Sequence, residues 1–185
     1  MIEEIQLESE SDMEKAVEFA TEEFANIRTG RANTAMFASI PVEYYGAPTP
    51  LQQLASMNIP EARTVLITPF DRSAMNDILK AIRESDLGVN PTDDGHVIRV
   101  TLPALTEERR KEYVKLARTK AEDARIGVRG ARRSGREKLE AMKKEGAAGE
   151  DAIERALKEL DEKTKSYTDK VDRLLEAKET ELLTI

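Results

Sequence analysis

Arginine is concentrated in one stretch of the chain, where its spacing places several side chains on one side of a helix. Five arginines follow steps of seven, four, three and four, which is the repeat of a helix face: Arg118, Arg125, Arg129, Arg132 and Arg136. Arg133 widens this patch. A guanidinium presents planar, paired donors that fit phosphate oxygens and guanine edges. The pattern therefore predicts a surface that binds a polyanion.

An ordinary solvent-exposed helix face, whose arginines pair with acidic side chains of neighbouring helices, is the alternative interpretation. Arg125 has acidic residues close by in sequence, which makes it the weaker candidate. Arg129 and Arg132 have no acidic residue four positions away on either side, which favours polyanion binding. A protein that docks on a duplex-like RNA would do so through the phosphates and the shape of the RNA rather than its sequence.

The net charge of the chain hides this basic stretch. The 185 residues carry 29 basic and 36 acidic side chains, a net charge of −7, which at first argues against a nucleic-acid partner. Residues 1–30 contain nine acidic and two basic side chains, whereas residues 109–138 contain twelve basic and four acidic ones. The acidic remainder is expected to limit non-specific binding and to favour one docking orientation.

The chain contains few residues of the types that serve in catalysis or metal binding. The chain has no Cys, no Trp and one histidine, His96, which excludes a thiol nucleophile and leaves little for a metal site or acid–base catalysis. No Gly-rich phosphate loop ending in Lys-Ser/Thr is present. We expect no catalytic residue, no metal and no cofactor, and interpret Asp93-Asp94-Gly95 as a turn that places His96 in a surface loop.

We expect the protein neither to span a membrane nor to be secreted. No apolar run approaches the roughly 20 residues that span a bilayer. The N-terminus, Met1-Ile2-Glu3-Glu4, lacks the basic and apolar regions of a signal peptide. These features predict a cytoplasmic protein.

The distribution of proline predicts which segments can form the helices that carry the arginines. All seven prolines lie between residues 41 and 103. Proline interrupts helix interiors, so the flanks can form long helices and the centre cannot. Apolar residues at alternating steps of four and three predict helices at about 2–29, 106–145 and 150–183. Gly146 and Gly149 mark the turn between the second and third of these helices. These helices predict an antiparallel three-helix bundle formed by residues 1–30 and 105–185.

The centre, residues 31–104, predicts a small inserted α/β domain. Runs of β-branched and aromatic residues bounded by Pro or Gly predict strands at 40–45, 64–68 and 97–102. Tyr44 and Tyr45 are expected on opposite faces of the first strand, one buried and one exposed. One helical face is formed by Met75, Ile78, Leu79 and Ile82.

Two short connections join this domain to the bundle, which predicts a hinge, with a fixed interface as the alternative. The predicted hinge residues are Thr29, Gly30, Arg31, Pro103, Ala104 and Leu105. Gly127, Gly130 and Gly135 each cost about 1 kcal/mol in a helix relative to Ala. Close approach of a neighbouring helix, close approach of RNA, or a local bend would each account for them.

Longer motifs extend over nearly the whole chain. They include Arg28-Thr29-Gly30-Arg31-Ala32, Val42-Glu43-Tyr44-Tyr45-Gly46, Phe70-Asp71-Arg72-Ser73, Ser85-Asp86-Leu87-Gly88 and Leu105-Thr106-Glu107-Glu108-Arg109-Arg110-Lys111. With the arginine spacing from Ala124 to Arg133, they resemble the bacterial ribosome recycling factor family.

The resemblance implies an α+β fold: an L-shaped molecule with an elongated three-helix bundle, a hinged β/α/β sandwich-like domain and the dimensions of a tRNA. It implies a non-enzymatic, monomeric translation factor that binds the post-termination 70S ribosome, mainly through large-subunit rRNA. With elongation factor G, which hydrolyses GTP, such a factor splits the ribosome and releases mRNA and tRNA. Initiation factor three then helps to keep the subunits apart.

The resemblance places functional arginines at Arg28, Arg110, Arg129 and Arg132. Gly130 and Ser134 stand where family members often carry Asn and Asp. The complete predicted rRNA-binding set is Arg28, Arg31, Arg110, Arg125, Arg129, Arg132, Arg133 and Arg136. A structural adaptor that pairs with another coiled coil is the competing class, and a nuclease has no catalytic constellation in this sequence.

Overall fold

A computed structural model describes residues 1–184 of the 185-residue chain. The chain forms two compact units. The first comprises Met1–Ile27 and Lys111–Thr184, and the second comprises Arg28–Arg110. The second unit is therefore an insertion in the sequence of the first.

The helices, in chain order, are α1 (Ile2–Ala25), α2 (Ala35–Ala38), α3 (Met75–Glu84), α4 (Glu107–Lys144) and α5 (Glu150–Leu183). The strands are β1 (Pro41–Tyr44), β2 (Ala47–Pro50), β3 (Ala55–Glu61), β4 (Thr64–Pro69), β5 (Pro91–Asp93) and β6 (Ile98–Thr101). One-turn 3₁₀ helices cover Leu51–Gln53 and Arg72–Ala74.

The first unit is the predicted three-helix bundle. Its core combines Met13 of α1 with Val128 and Leu139 of α4 and Ile153 and Leu160 of α5. The predicted apolar stripes point inward, since no helix can bury its own stripe without the other two. Within residues 1–184, no helix is both long enough and apolar enough to span a membrane.

α1 ends at Ala25, before the predicted end at residue 29. The amide of Ile27 donates to the carbonyl of Phe24, a three-residue step that tightens the last turn. This turn keeps the Ile27 side chain buried although the regular helix has ended. The apolar stripe thus extends two residues beyond the helix, and a pattern-based boundary follows the stripe.

The turn between α4 and α5 is made by Gly146, as predicted. Its φ of +67° lies in the left-handed region that glycine favours. The amide of Gly146 donates to the carbonyl of Lys143 at 3.2 Å, and that of Ala147 to Met142 at 3.0 Å. These two bonds satisfy carbonyls that the end of a helix leaves open.

Close packing of α1 against α4 accounts for two of the three glycines in α4. A Cβ at Gly135 would lie 2.3 Å from Ser9 Oγ, and one at Gly127 would lie 3.2 Å from Ala16 Cβ. A Cβ at Gly130 meets nothing within 4 Å. Gly127 and Gly135 thus permit helix–helix approach, whereas Gly130 faces open space.

The second unit contains two antiparallel sheets. One has the strand order β3-β4-β6-β5 and the other pairs β1 with β2. The register places Val65 opposite Val100 and Ile67 opposite Ile98. The predicted face of α3 is buried in the same apolar cluster as these central strands.

The three strands predicted from β-branched runs are present as β1, β4 and β6, but β2, β3 and β5 are missing from the prediction. Each of the missing strands contains a proline and exposed residues, so none shows the buried alternation of a strand. β3 and β5 form the two edges of their sheet, where proline is tolerated.

The Asp93-Asp94-Gly95 turn is confirmed. The amide of Gly95 donates to Asp93 Oδ1 at 2.7 Å, and Gly95 has a φ of +99°. His96 follows this turn and is exposed, as predicted. Tyr45 differs from its prediction, because it lies in the turn after β1 rather than on a strand face.

Candidate nucleic-acid interface

The arginine face of α4 is positioned by the buried stripe of the same helix. Arg118, Arg125, Arg129 and Arg132 each follow a buried position, and a one-residue step turns the side chain by about 100° to the edge of the core. Their side chains are between 22% and 67% exposed. The guanidinium groups thus have packed stems and heads open to solvent.

Ion pairs join this face to α5. In each pair an arginine nitrogen lies 2.6 or 2.7 Å from a carboxylate oxygen: Arg118–Glu179, Arg125–Asp172 and Arg132–Asp161. Arg132 therefore has an acidic partner that the spacing within α4 does not reveal. The pairing expected for an ordinary helix face is present here.

Further ion pairs lie along α4 itself. Arg125 and Arg129 both donate to the carboxylate of Glu122, and Arg136 donates to Glu140 at 3.1 Å. The hydrogen bonds from Arg125 and Arg129 lower the pKa of Glu122 below its usual range. Arg129 reaches a residue seven positions earlier, beyond the four-residue spacing of the nearest neighbours on a helix face.

These ion pairs are compatible with anion binding. Pairs between exposed side chains contribute about 0–1 kcal/mol each, because water and salt screen them. A phosphate can therefore replace the carboxylate partner at small cost to the fold. Arg133 is exposed and makes no ion pair within residues 1–184.

Arg125, Arg129 and Arg132 line a shallow groove between α4 and α5. The α5 side of this groove is formed by Asp161, Thr164, Lys165, Thr168 and Asp172. Lys165 adds a cation that the sequence reasoning missed. A signal for it was present, because Lys165 follows the stripe position Thr164 by one residue, as the arginines follow theirs.

The other predicted site residues lie elsewhere in the chain. Arg133 and Arg136 extend the face along α4, whereas Arg28, Arg31 and Arg110 belong to the second unit. Arg28 and Arg110 are half-buried, and Arg31 is exposed. The predicted set is therefore divided between the two units.

One of the predicted hinge residues, Pro103, accepts a hydrogen bond from Arg28. Arg28 Nη2 donates to the carbonyl of Pro103 at 3.0 Å, which connects the two chain segments that contain the predicted hinge residues. Gly30 and Leu105 are buried, Thr29 is half-buried, and Pro103 and Ala104 are exposed. This contact gives Arg28 a structural role besides the predicted contact with rRNA.

Comparison with known proteins identifies the family. The model of the family described as "Ribosome recycling factor" matches residues 20–183. The ribosome-recycling factor of Kineococcus radiotolerans is 62% identical over 185 residues, which is the whole of both chains. That of Streptomyces coelicolor is 56% identical over the same length.

Two solved structures agree with this result. A solution structure of a ribosome recycling factor is 45% identical, with a TM-score of 0.81, and the match covers 100% of this chain and 98% of that one. The second, from models of the T. thermophilus ribosome recycling factor and the E. coli elongation factor G bound to the E. coli post-termination complex, is 41% identical with a TM-score of 0.68, and the match covers 99% of both chains. With its bundle, its inserted α/β unit and its full-length relatives, this chain belongs to the ribosome recycling factor family.

Proposed function

We propose that this chain is a cytoplasmic, monomeric translation factor that binds the post-termination ribosome. Together with elongation factor G, which hydrolyses the GTP, it splits the ribosome into subunits, so that mRNA and tRNA are released. The observation that carries the proposal is 62% identity over the entire length of a ribosome-recycling factor. The T. thermophilus relative, bound with elongation factor G to the post-termination complex, supports the choice of partners.

The bundle binds large-subunit rRNA through the groove between α4 and α5. Arg125, Arg129 and Arg132 exchange their carboxylate partners for phosphates, and Arg133, which makes no ion pair within residues 1–184, adds a further cation. The pairs are exposed, so this exchange costs little. Arg28, Arg31, Arg110 and Arg136 complete the proposed set of contacts.

The action of the factor is mechanical. The α/β unit pivots at Thr29, Gly30, Arg31, Pro103, Ala104 and Leu105 while the bundle stays anchored. Elongation factor G moves the α/β unit, and closely packed helices transmit the load to the contacts between ribosomal subunits. Initiation factor three then keeps the separated subunits apart, and this chain itself performs no catalysis.

A splitting assay with purified post-termination ribosomes and elongation factor G tests the arginine assignment. Arg132→Ala is expected to slow splitting strongly while circular dichroism shows unchanged helix content. Arg155→Ala is the matched control, because it removes the same charge from an exposed position of α5 that does not line the groove. Normal splitting by folded Arg132→Ala would remove Arg132 from the site.

The salt dependence of ribosome binding tests the type of contact. Each lost phosphate contact is expected to reduce the log–log slope of affinity against salt by about 0.7–0.9. An Arg132→Ala slope equal to that of the wild type would show that Arg132 contacts no phosphate, and a wild-type affinity that does not change with salt would indicate an apolar helix–helix contact, as expected for an adaptor protein.

Cysteine pairs test the pivot, since the natural chain has no Cys. One cysteine in each unit, selected for disulfide formation, locks the two units together. The oxidised form is expected to bind ribosomes without splitting them, and reductant restores splitting. Equal turnover of the oxidised and reduced forms would reject pivoting.

A further inference from the structure

The turn between β1 and β2 contains a residue in an unfavourable conformation. Tyr45 has a φ of +49° and Gly46 a φ of +77°. A two-residue hairpin turn of this kind requires the left-handed region at both positions, where Asn-Gly and Asp-Gly are the usual pairs. A bulky residue with a positive φ is uncommon. The strained position is therefore occupied by a poorly suited residue.

Burial does not account for this tyrosine, because its side chain is 84% exposed. An exposed side chain contributes little to the core, so burial does not offset the cost of its backbone conformation. Backbone strain that the fold does not require is typical of binding and switch regions. The contacts that hold the Tyr45 ring and the charges around it therefore bear on function.

The Tyr45 ring is supported by a chain of contacts within the α/β unit. The ring centroids of Tyr44 and Tyr45 lie 4.5 Å apart in an edge-to-face arrangement at 71°. Tyr44 Oη donates to Asp71 Oδ2 at 2.9 Å. The other oxygen of Asp71 accepts from the amide of Ser73 at 2.9 Å and from its hydroxyl at 2.7 Å. The exposed ring thus rests on groups that are themselves anchored.

The protonation states of Asp71 and Tyr44 do not change near neutral pH. The hydrogen bonds from the Ser73 hydroxyl and amide, and then from Tyr44, lower the pKa of Asp71. The bond to Asp71 raises the pKa of Tyr44 to about 12. Asp71 therefore remains ionised and Tyr44 remains a donor across the physiological range.

A second exposed ring belongs to the residue that precedes Asp71 in sequence. Phe70 immediately precedes Asp71 and its side chain is 70% exposed. Its amide donates to the carbonyl of Leu54 at 2.9 Å, which anchors the backbone under the ring. Tyr45 and Phe70 are the two most exposed of the eight aromatic side chains. We call Tyr44, Tyr45, Phe70 and Asp71 the aromatic platform.

The charges next to the platform residues in sequence favour a cation. Asp71 belongs to the platform and Glu43 precedes Tyr44, so two acidic residues stand against one basic residue, Arg72. A phosphate backbone is repelled by such a surface, whereas a guanidinium is attracted by carboxylates and stacks on aromatic faces. We propose that the aromatic platform docks an arginine side chain of a protein on the post-termination ribosome. This inference rests on the proposed function for the choice of partner.

Tyr45→Asn is the central test, because it removes the ring and installs the residue that the turn prefers. Relief of the unfavourable φ and loss of the contact with Tyr44 offset each other, so the melting temperature is expected to stay within about 2 °C of the wild type. Splitting at subsaturating factor is expected to fall about tenfold. Tyr45→Phe keeps the ring and is expected to recover most of that loss.

Phe19→Leu is the matched control, because Phe19 is an exposed aromatic of α1 that belongs to neither proposed surface. It is expected to split ribosomes at the wild-type rate. Wild-type splitting by Tyr45→Asn would overturn the platform. A melting temperature lowered by more than about 5 °C would assign Tyr45 a structural role and also overturn it.

A photo-crosslinker identifies the class of partner. With p-benzoylphenylalanine at position 45 and purified ribosomes plus elongation factor G, crosslinks are expected to a protein, at a peptide that contains arginine. Crosslinks to rRNA alone, or to arginine-free peptides, would overturn the proposal. Failure of the wild-type chain to split ribosomes would instead reject the proposed function, so the two failures are distinguishable.

Discussion

The interior of the α/β unit and the α4 face of the bundle core differ in the size of their buried side chains. The α/β unit buries large side chains: Phe37, Ile67, Ile78, Ile82 and Ile98 are fully buried. The bundle instead lines much of α4 with small residues, including Ala117, Ala121, Ala124 and Gly135. Large side chains make a core sensitive to the removal of atoms, whereas close helix packing makes it sensitive to their addition. This contrast leads to opposite expectations for mutations in the two units.

The largest effect is expected from a deletion in the α/β unit. Ile78→Ala removes atoms from a fully buried position on α3 and is expected to lower the free energy of unfolding by about 2–5 kcal/mol. On the small-residue face of α4, Ala121→Gly removes a single carbon and is expected to cost about 1 kcal/mol, mainly through the lower helix propensity of Gly. Hydrogen exchange followed by mass spectrometry locates each loss in its own unit.

Ile59→Ala is the control within the α/β unit, since Ile59 on the edge strand β3 is 37% exposed. Its cost is expected to be well below that of Ile78→Ala, because less apolar surface returns to water. Equal costs for Ile78→Ala and Ala121→Gly would contradict the contrast between the two interiors.

The next largest effect comes from adding a single carbon to the bundle core. Here the addition of atoms, rather than their removal, is expected to destabilise the fold. Gly135→Ala places a Cβ 2.3 Å from Ser9 Oγ and is expected to destabilise the chain by about 1–3 kcal/mol. Gly130→Ala meets nothing within 4 Å and is expected to stabilise α4 by up to about 1 kcal/mol. Urea unfolding followed by circular dichroism measures both variants.

Helix propensity alone would make both glycine variants stabilising, so this matched pair isolates the close approach of Ser9 on α1 and of Leu160 on α5, whose Cδ2 lies 3.2 Å from the same Cβ. Rotation of the Ser9 side chain is the available route of relief. Stabilisation by Gly135→Ala equal to that by Gly130→Ala would show that Ser9 yields without cost.

The same contrast explains what sequence reasoning could recover. The four–three repeat predicted all three bundle helices, because a long stripe such as Ile153, Leu160 and Val171 is a regular local signal. The strands β2, β3 and β5 were missed, since an edge strand is defined by its neighbour rather than by its own pattern. Which glycine of α4 contacts α1 also depends on a partner distant in sequence.

The candidate site shows the same limit. The spacing of Arg125, Arg129 and Arg132 correctly predicted a shared face, because helix geometry is local. Pairing with acidic side chains of neighbouring helices was only the alternative interpretation, and spacing within α4 could not identify Asp161 and Asp172, which α5 supplies. The position of Tyr45 in a strained turn also required the backbone geometry, since the Tyr-Gly pair is not a usual signal for a two-residue hairpin.

A smaller effect is expected at the polar edge of the bundle core. The buried Tyr167 donates through Oη toward Glu10 and Glu14, each at 3.0 Å. Tyr167→Phe keeps the ring and removes this bond, at an expected cost of about 1 kcal/mol in the free energy of unfolding near pH 7. Chemical unfolding over a range of pH values measures it.

The pH dependence of this cost has a definite sign. The bond from Lys163 and then that from Tyr167 lower the pKa of Glu10, while burial opposes them. A carboxylate with a depressed pKa stabilises the fold above the unfolded-state value of about 4.3, and this contribution is lost as the pH falls further. The difference between Tyr167→Phe and the wild type is therefore expected to shrink on acidification. A difference that stays constant to pH 3 would show that Glu10 is not involved.

The smallest effect on stability is expected at the arginine face. A substitution there can change ribosome binding while it leaves the free energy of unfolding nearly unchanged. Asp161→Asn removes the charged partner of Arg132, and both side chains are exposed, at 52% and 39%. The free energy of unfolding is expected to change by less than about 1 kcal/mol. Ribosome affinity is expected to rise about two- to fivefold, since Arg132 no longer exchanges a carboxylate for a phosphate and a repulsive charge is gone.

Arg132→Ala and Asp161→Asn remove the same ion pair, so any structural contribution of that pair is lost equally in both. Their effects on ribosome affinity are nevertheless expected to have opposite signs, because only Arg132→Ala removes the group that contacts phosphate. Affinity measured at two salt concentrations for both variants decides the question. If both weaken binding alike, the ion pair itself holds the binding surface in place, and the arginines of α4 belong to the architecture of the bundle rather than to its contact with RNA.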